Sequence, residues 1–335
     1  MERVGLGDLM VSAQGLGCMG MSEHYGPSDW DRCTATIHRA FDLGVTLFDT
    51  ADIYGAGHNE VLLGRALGAR RGQSTVATKF GIDRSGGDDR RWVRGEPGYV
   101  RRSCEASLLR LGTDHIDLYY LHRPPQDVPL EETVAAMGEL VQAGKVSHLG
   151  LCEVSGEQLR AAHAVHPITV VQSEYSLWSR DVEAVTPVMA ELGIGLVPFS
   201  PLGRGFLSGR LDPAGLTAGD SRRGHPRFQG ANAEANQHLV AHVRDVAARH
   251  GHTPAQVALA WVHAQADRLG VPVVPIPGTT RPERLEENVA AADIRLDDPT
   301  LAELEPLAGL VAGQRYGALQ ASAPRRPSPA AQPAR

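Results

Sequence analysis

Four side chains within the first 122 residues have the types needed to put a proton on a carbonyl oxygen: Asp49, Tyr54, Lys79 and His122. A tyrosine is a weak acid, with an unperturbed pKa of about 10. A neighbouring ammonium stabilises the phenolate and lowers that value. Lys79 has the right chemistry for this, with Asp49 to hold it charged and in place. His122 suits hydrogen bonding to a substrate oxygen. An arginine would be a poor substitute for the lysine, because its planar fork differs in shape and hydration from a compact ammonium. Taken singly, each residue has a plain explanation: a helix cap, an interfacial aromatic, a surface lysine, a turn histidine. Their common position makes them one group.

Asp49, Lys79 and His122 each close an apolar, β-rich run, and Tyr54 follows Asp49 closely. Such runs occur at 46–48, 75–78, 116–121, 146–151, 168–172, 194–199 and 273–276, with a further one expected at 15–19. Amphipathic stretches at 32–43, 59–67, 99–109, 130–143, 157–163, 182–192, 236–250 and 253–266 alternate with them. Strand–helix alternation of this kind predicts a parallel sheet with helices outside, and eight units favour a closed barrel. In such a barrel the strand ends converge on one mouth. Residues 4–11 predict a hairpin, turning at Gly7-Asp8, placed to plug one end of the barrel. Two polar, glycine-containing segments, 81–97 and 201–230, follow strands and are candidate binding loops.

The bulk properties narrow the function. The chain has 335 residues and a formal net charge of -6, which argues against a protein that holds phosphate backbones. It has no apolar run long enough for a transmembrane helix and no apolar secretion signal at its start, so the expectation is a cytoplasmic protein with no membrane partner. Cys18, Cys33, Cys104 and Cys152 are scattered without a CxxC pair, and no HExxH accompanies the histidines. Neither disulfides nor a metal site is expected. Of 33 basic residues only two, Lys79 and Lys145, are lysines, which leaves 31 arginines.

Gly15-Leu16-Gly17-Cys18-Met19-Gly20 matches the GxGxxG fingerprint of dinucleotide-binding turns. That fingerprint works only where a helix opens right after the third glycine, with its N-terminus facing the phosphates. Here the chain continues Met-Ser-Glu-His-Tyr-Gly-Pro, which is poor helix sequence, and a helix becomes credible only near Asp29. Close packing at a strand end is the better reason for these glycines.

The motifs around the four residues resemble the aldo-keto reductase superfamily. Residues 48–55 (FDTADIYG), 77–81 (ATKFG), 117–123 (DLYYLHR), 144–150 (GKVSHLG), 172–177 (QSEYSL), 198–205 (PFSPLGRG) and 276–288 occur in the family's order. The polar insertion after Gly81 and the His122-Arg123 ending resemble its plant and bacterial perakine-reductase-like branch. The resemblance implies an α/β protein, a (β/α)8 TIM barrel with an N-terminal hairpin and extra C-terminal helices. It implies a single barrel domain over residues 1–317, with an Ala/Pro/Arg-rich tail at 318–335 that is expected to be disordered. It also implies NADPH bound without a Rossmann domain, reduction of an aldehyde or ketone, and a catalytic tetrad of Asp49, Tyr54, Lys79 and His122 with Tyr54 as the acid.

The same resemblance implies cofactor contacts. Gln172 and Cys152 match positions at the nicotinamide carboxamide, and Phe199 matches the ring stacked on the nicotinamide. Ser200, Pro201, Leu202 and Arg204 match the pyrophosphate loop. Ile276, Gly278, Thr280, Arg284, Glu287 and Asn288 match the adenosine end. The chain departs from the family in having Cys152-Glu153 where many relatives begin with serine, and Gly278 where many have a lysine for the 2′-phosphate. Arg281 is a nearby substitute. Met21, Tyr25, Trp92 and Trp178 are candidates for the substrate pocket. Two other readings stand beside the reductase: an NADPH-binding regulatory subunit with slow turnover, and a Schiff-base barrel enzyme using Lys79. The sequence is silent on the substrate and on the oligomeric state.

Overall fold

A two-residue period governs the sheet. The structure, a computed structural model, describes residues 1–85, 92–125 and 128–316. Its hairpin is β1 (Arg3–Leu6) and β2 (Leu9–Ser12). Then follow β3 (Leu16–Gly17), β4 (Leu47–Asp49), β5 (Thr75–Phe80), the short pair β6 (Ile82–Asp83) and β7 (Trp92–Val93), β8 (Ile116–Leu121), β9 (Val146–Cys152), β10 (Val170–Glu174) and β11 (Gly195–Phe199). Seven of these form one parallel sheet in the order β3-β4-β5-β8-β9-β10-β11.

Side chains at alternate positions face opposite ways. Leu47, Ala77, Leu118, Val170 and Val197 pack together inside the barrel. Their neighbours Phe48, Val76, Tyr119, Val171 and Leu196 pack outward against the helices. Two residues further along the inward set come Asp49, Lys79, Tyr120, Gln172 and Phe199. The alternation therefore aims these side chains, all polar except Phe199, into the barrel toward the C-terminal ends of the strands.

The sheet closes through an eighth stave, residues 272–278. It joins β11 at the single bridge Leu196↔Val273 and β3 at Gly17↔Gly278. Pro272, Pro275 and Pro277 in this stave have no N–H to donate, which is why it forms no regular ladder strand. Their carbonyls still accept from Leu196, Gly15 and Gly17 at 2.8, 3.0 and 3.3 Å. At the opposite end, Leu6, Leu9 and Val11 of the hairpin enter the barrel core. A Cβ on Gly195 would lie 2.4 Å from Leu6, so the plug fits against bare backbone.

The GxGxxG glycines have the packing role expected of them. A Cβ on Gly17 would stand 2.7 Å from the Ile276 carbonyl oxygen, and one on Gly15 would stand 2.9 Å from that of Leu47. No long helix follows: Met19–Met21 is a single 3-10 turn.

The outer layer runs α1 (Trp30–Asp42), α2 (His58–Leu67), α3 (Pro97–Leu111), α4 (Leu130–Gln142), α5 (Gly156–Val165), α6 (Thr186–Leu192), α7 (Gly230–Arg249), α8 (Pro254–Leu269), α9 (Pro282–Ala290) and α10 (Asp298–Leu304). Starts are set by polar caps. Asp29 accepts from the Arg32 amide at α1, and full capping boxes open α5 (Ser155/Gln158) and α8 (Thr253/Gln256). Each such cap contributes about 1 kcal/mol. Residues 182–192, read from sequence as one amphipathic stretch, are instead a 3-10 turn (Asp181–Ala184) and α6, with Pro187 at the start of the helix. Among the described residues no helix is long and apolar enough to cross a membrane. The expected disordered tail, 318–335, lies outside the described residues.

Candidate active site

The barrel opens into a cleft of about 570 Å³ at the C-terminal ends of the strands. Asp49, Tyr54 and His122 line it, and Lys79 lies directly beneath, fully buried. The Lys79 ammonium donates to Asp49 Oδ1, and to the Thr50 carbonyl at 2.7 Å. It sits 5.2 Å from the centre of the Tyr54 ring. The other Asp49 oxygen accepts from Gln172 Nε2 at 2.7 Å. The His122 ring stands edge-on to Tyr54, with centroids 6.0 Å apart.

Local structure fixes these positions. After β4 the chain continues along β5, where Thr50 and Asp52 donate backbone bonds to Ala77 and Lys79 at 2.8 and 3.0 Å. Tyr54 then begins a turn with three consecutive left-handed residues, Gly55 (φ 57°), Ala56 (53°) and Gly57 (92°). Asn59 clamps this turn from α2. It accepts from Thr50 and donates to the Cys18 carbonyl and Ser22 Oγ, all within 2.8 Å. Below it, buried Glu60 accepts from Thr78 and Arg110, each at 2.6 Å.

Burial sets the electrostatics. Burial works against the charge on Lys79, but the Asp49 carboxylate beside it outweighs burial and holds the ammonium above the usual lysine range. The Asp49 carboxyl is raised by burial against the pull of Lys79. For Tyr54 the simple expectation needs correction. Lys79 does pull the phenol down, but burial outweighs it and the net shift is upward. Tyr54 therefore rests as a neutral phenol that still carries its proton. Burial pushes the Cys152 thiol up to about 12, so it remains a thiol.

From this cluster the cleft runs across the barrel mouth to α9. Cys152, Gln172, Phe199, Ser200, Pro201, Leu202 and Arg204 line its middle; Ile276, Gly278, Thr280, Arg284, Glu287 and Asn288 line its far end. The middle loop is conformationally unusual: Ser200 and Arg204 are left-handed at φ 50° and 57°. Strain of this kind collects where backbone must be presented to a ligand. At the far end burial, then Arg281 and Arg210, lower the Arg284 guanidinium below its usual range. Arg210 is paired with Glu287 at 2.8 Å, while Arg281 and Arg284 have no carboxylate within 4 Å among the described residues. Two guanidiniums at one end of the cleft with no carboxylate within 4 Å fit a ligand that carries phosphate there.

The Aldo/keto reductase family model matches residues 14–308, most of the chain. The chain belongs to this family. It is 45% identical over 320 residues to "Probable aldo-keto reductase 1" from Glycine max, covering 94% of this chain and 91% of that one. Among solved structures it resembles a glycerol dehydrogenase from Gluconobacter oxydans, with a TM-score of 0.82, 27% identity and 96% of each chain covered. It also resembles an aldo-keto reductase from Bacillus halodurans solved in its holo form, with a TM-score of 0.75, 27% identity, and 92% and 96% of the chains covered. Aldo/keto reductases are oxidoreductases that reduce carbonyls with a nicotinamide cofactor, and this barrel is an enzyme of that kind.

Within the family frame, the pocket candidates part company. Tyr25 lines the cleft, and Arg222 lies over its ring at 4.7 Å. Met21 is buried in the core, and Trp92 pairs with Asp83 in the β6–β7 ladder; neither is a lining residue. Trp178 is also buried, against Phe206 and Phe228. A Cβ on Gly203 would lie 2.4 Å from its indole, so Trp178 supports the Ser200–Arg204 loop from behind. Gly278 is explained by the seam, since a Cβ there would stand 2.9 Å from the Gly17 oxygen.

Sequence reading missed the C-terminal contribution. Arg315 donates to Glu174 at 2.8 Å and to Glu153 at 2.7 Å, and Tyr316 lines the cleft beside it. The one available signal was Glu153 itself, a non-glycine residue held at φ 55° just past a strand end.

Proposed function

We propose that this enzyme reduces an aldehyde or ketone to an alcohol at the expense of NADPH, with Tyr54 as proton donor. The reading rests on one observation: a neutral phenol, a buried ammonium and an imidazole meet at one end of a cleft whose other end carries the free guanidiniums of Arg281 and Arg284. A bound NADPH supplies the hydride. Phe199 and Gln172 are placed to flank its nicotinamide, the Ser200–Arg204 loop its pyrophosphate, and Arg284 with Arg281 its 2′-phosphate. A guanidinium fork pairs bidentately with phosphate oxygens, which favours NADPH over NADH.

The chain's own groups do the proton chemistry. His122 hydrogen-bonds the substrate oxygen and orients it toward the phenol. Tyr54 releases its proton to that oxygen as negative charge develops there. The Lys79 ammonium stabilises the nascent phenolate, and Asp49 keeps Lys79 charged and fixed. Burial keeps the phenol protonated until that moment, and a buried ammonium acts strongly on a charge formed beside it.

The test is a panel of aldehydes, ketones and sugars followed by loss of NADPH absorbance. Wild type turns over at least one class. Tyr54→Phe lowers kcat by about 10²–10⁴-fold, the usual worth of a positioned acid, and leaves NADPH affinity close to wild type. Full activity in Tyr54→Phe would remove Tyr54 as the acid.

A further inference from the structure

One cation at the catalytic end of the cleft remains unassigned. Arg123 follows His122 directly, lines the cleft, and among the described residues bonds only the His122 carbonyl, at 2.8 Å. Among the described residues no carboxylate lies within salt-bridge distance of it. The other charges there are matched. Glu153 and Glu174 are both held by Arg315, and Arg204 stands 3.5 Å from Glu174. Two carboxylates and two guanidiniums offset one another, which leaves Arg123, among the described residues, as the guanidinium there with no carboxylate within 4 Å. Its field reaches the cleft floor: after Lys79, it is the cation that opposes the upward push of burial on the Cys152 thiol.

We infer that Arg123 binds a carboxylate carried by the substrate, so that the favoured substrates are carbonyl compounds that also bear a carboxylate. This rests on the reductase reading above. The geometry suits it because Arg123 and His122 are adjacent on one strand end, where one can take the anion and the other the carbonyl oxygen. The guanidinium fork matches a carboxylate's two oxygens. A monoanion is favoured over a phosphate dianion because Arg123 brings one charge whose field already reaches the Glu153 carboxylate, and that carboxylate opposes a second negative charge.

The experiment compares 4-formylbenzoate with its methyl ester, which have the same aldehyde and differ by one charge. Wild type should show a kcat/KM ratio of acid to ester of about ten or more, and Arg123→Met should lower that ratio at least about tenfold, with Arg123→Lys intermediate. A ratio near one in wild type, or the same ratio in wild type and Arg123→Met, would overturn the inference. The ratio does not depend on how much protein is folded. If neither compound is reduced, the reductase reading fails for this substrate class, and binding of benzoate decides the Arg123 assignment by itself. Benzoate that binds at least about tenfold more weakly to Arg123→Met supports the assignment, and unchanged or undetectable binding overturns it.

Discussion

Gln172 donates to the Asp49 oxygen that Lys79 does not use. Both oxygens of the buried carboxylate are thereby committed, one to a cation and one to an amide, so the carboxylate cannot rotate away from Lys79. Asp49, Lys79 and Gln172 together join β4, β5 and β10 across the barrel interior.

Removing the negative charge leaves Lys79 buried without its counter-ion. Asp49→Asn is expected to cost about 3–5 kcal/mol in urea unfolding at pH 7. Burial then acts unopposed and depresses the folded-state pKa of Lys79 below its unfolded value of about 10.4. Between those two values the unfolded chain binds the extra proton, so stability of the variant rises with pH. The deficit should narrow as pH approaches 10. A deficit that is constant with pH would place the loss in packing.

Arg284 is lowered by burial and by its neighbours Arg281 and Arg210, a repulsion that a bound phosphate relieves. Arg284→Ala should weaken NADPH about 10–100-fold and NADH little, as read by quenching of protein fluorescence. Equal losses for the two cofactors would remove the 2′-phosphate from this residue.

Gly203 combines a left-handed backbone, φ 55°, with a Cβ position 2.4 Å from the Trp178 ring. Gly203→Ala should cost about 1–3 kcal/mol of stability and displace the loop on which Ser200 and Arg204 sit. Cofactor affinity should fall with it, although no lining side chain has changed. Trp178→Ala combined with Gly203→Ala should recover part of the cofactor affinity.

His263 contributes to acid sensitivity. Burial, then Arg295, lower its pKa from 6.5 to about 4. Between these values the unfolded chain takes up a proton that the folded chain refuses, so stability falls as pH drops through this window. His263→Gln should flatten the pH–stability curve between about pH 6.5 and 4. An unchanged slope would show that other groups carry it.

The core of the site was legible because it depends on local rules. Strand runs end at Asp49, Lys79 and His122, and a two-residue period aims alternate side chains inward. Everything decided by long-range folding was opaque. Arg315 meets Glu174 across 141 positions and Glu153 across 162, with no local pattern to announce either contact. Trp178 follows β10 like a pocket residue. The Ser176↔Ser179 bridge turns the chain tightly there, and the indole goes under the loop. Its sense of turn is not written in the spacing. The upward shift of Tyr54 was also hidden, because burial is a property of the assembled barrel.

The scarcity of lysine has a consequence at the surface. Lys79 is wholly enclosed, and Lys145, whose side chain is 39% exposed, bonds to Glu105 on the outside of the barrel. Among side-chain amines, an acylating reagent therefore meets one target in the folded chain, and unfolding adds a second. Guanidinium supplies nearly all the remaining positive charge, and it stays protonated far into the alkaline range. Labelling read at the lysine side chains thus counts folded against unfolded molecules, one against two, on an exterior whose cationic charge scarcely titrates above neutral pH.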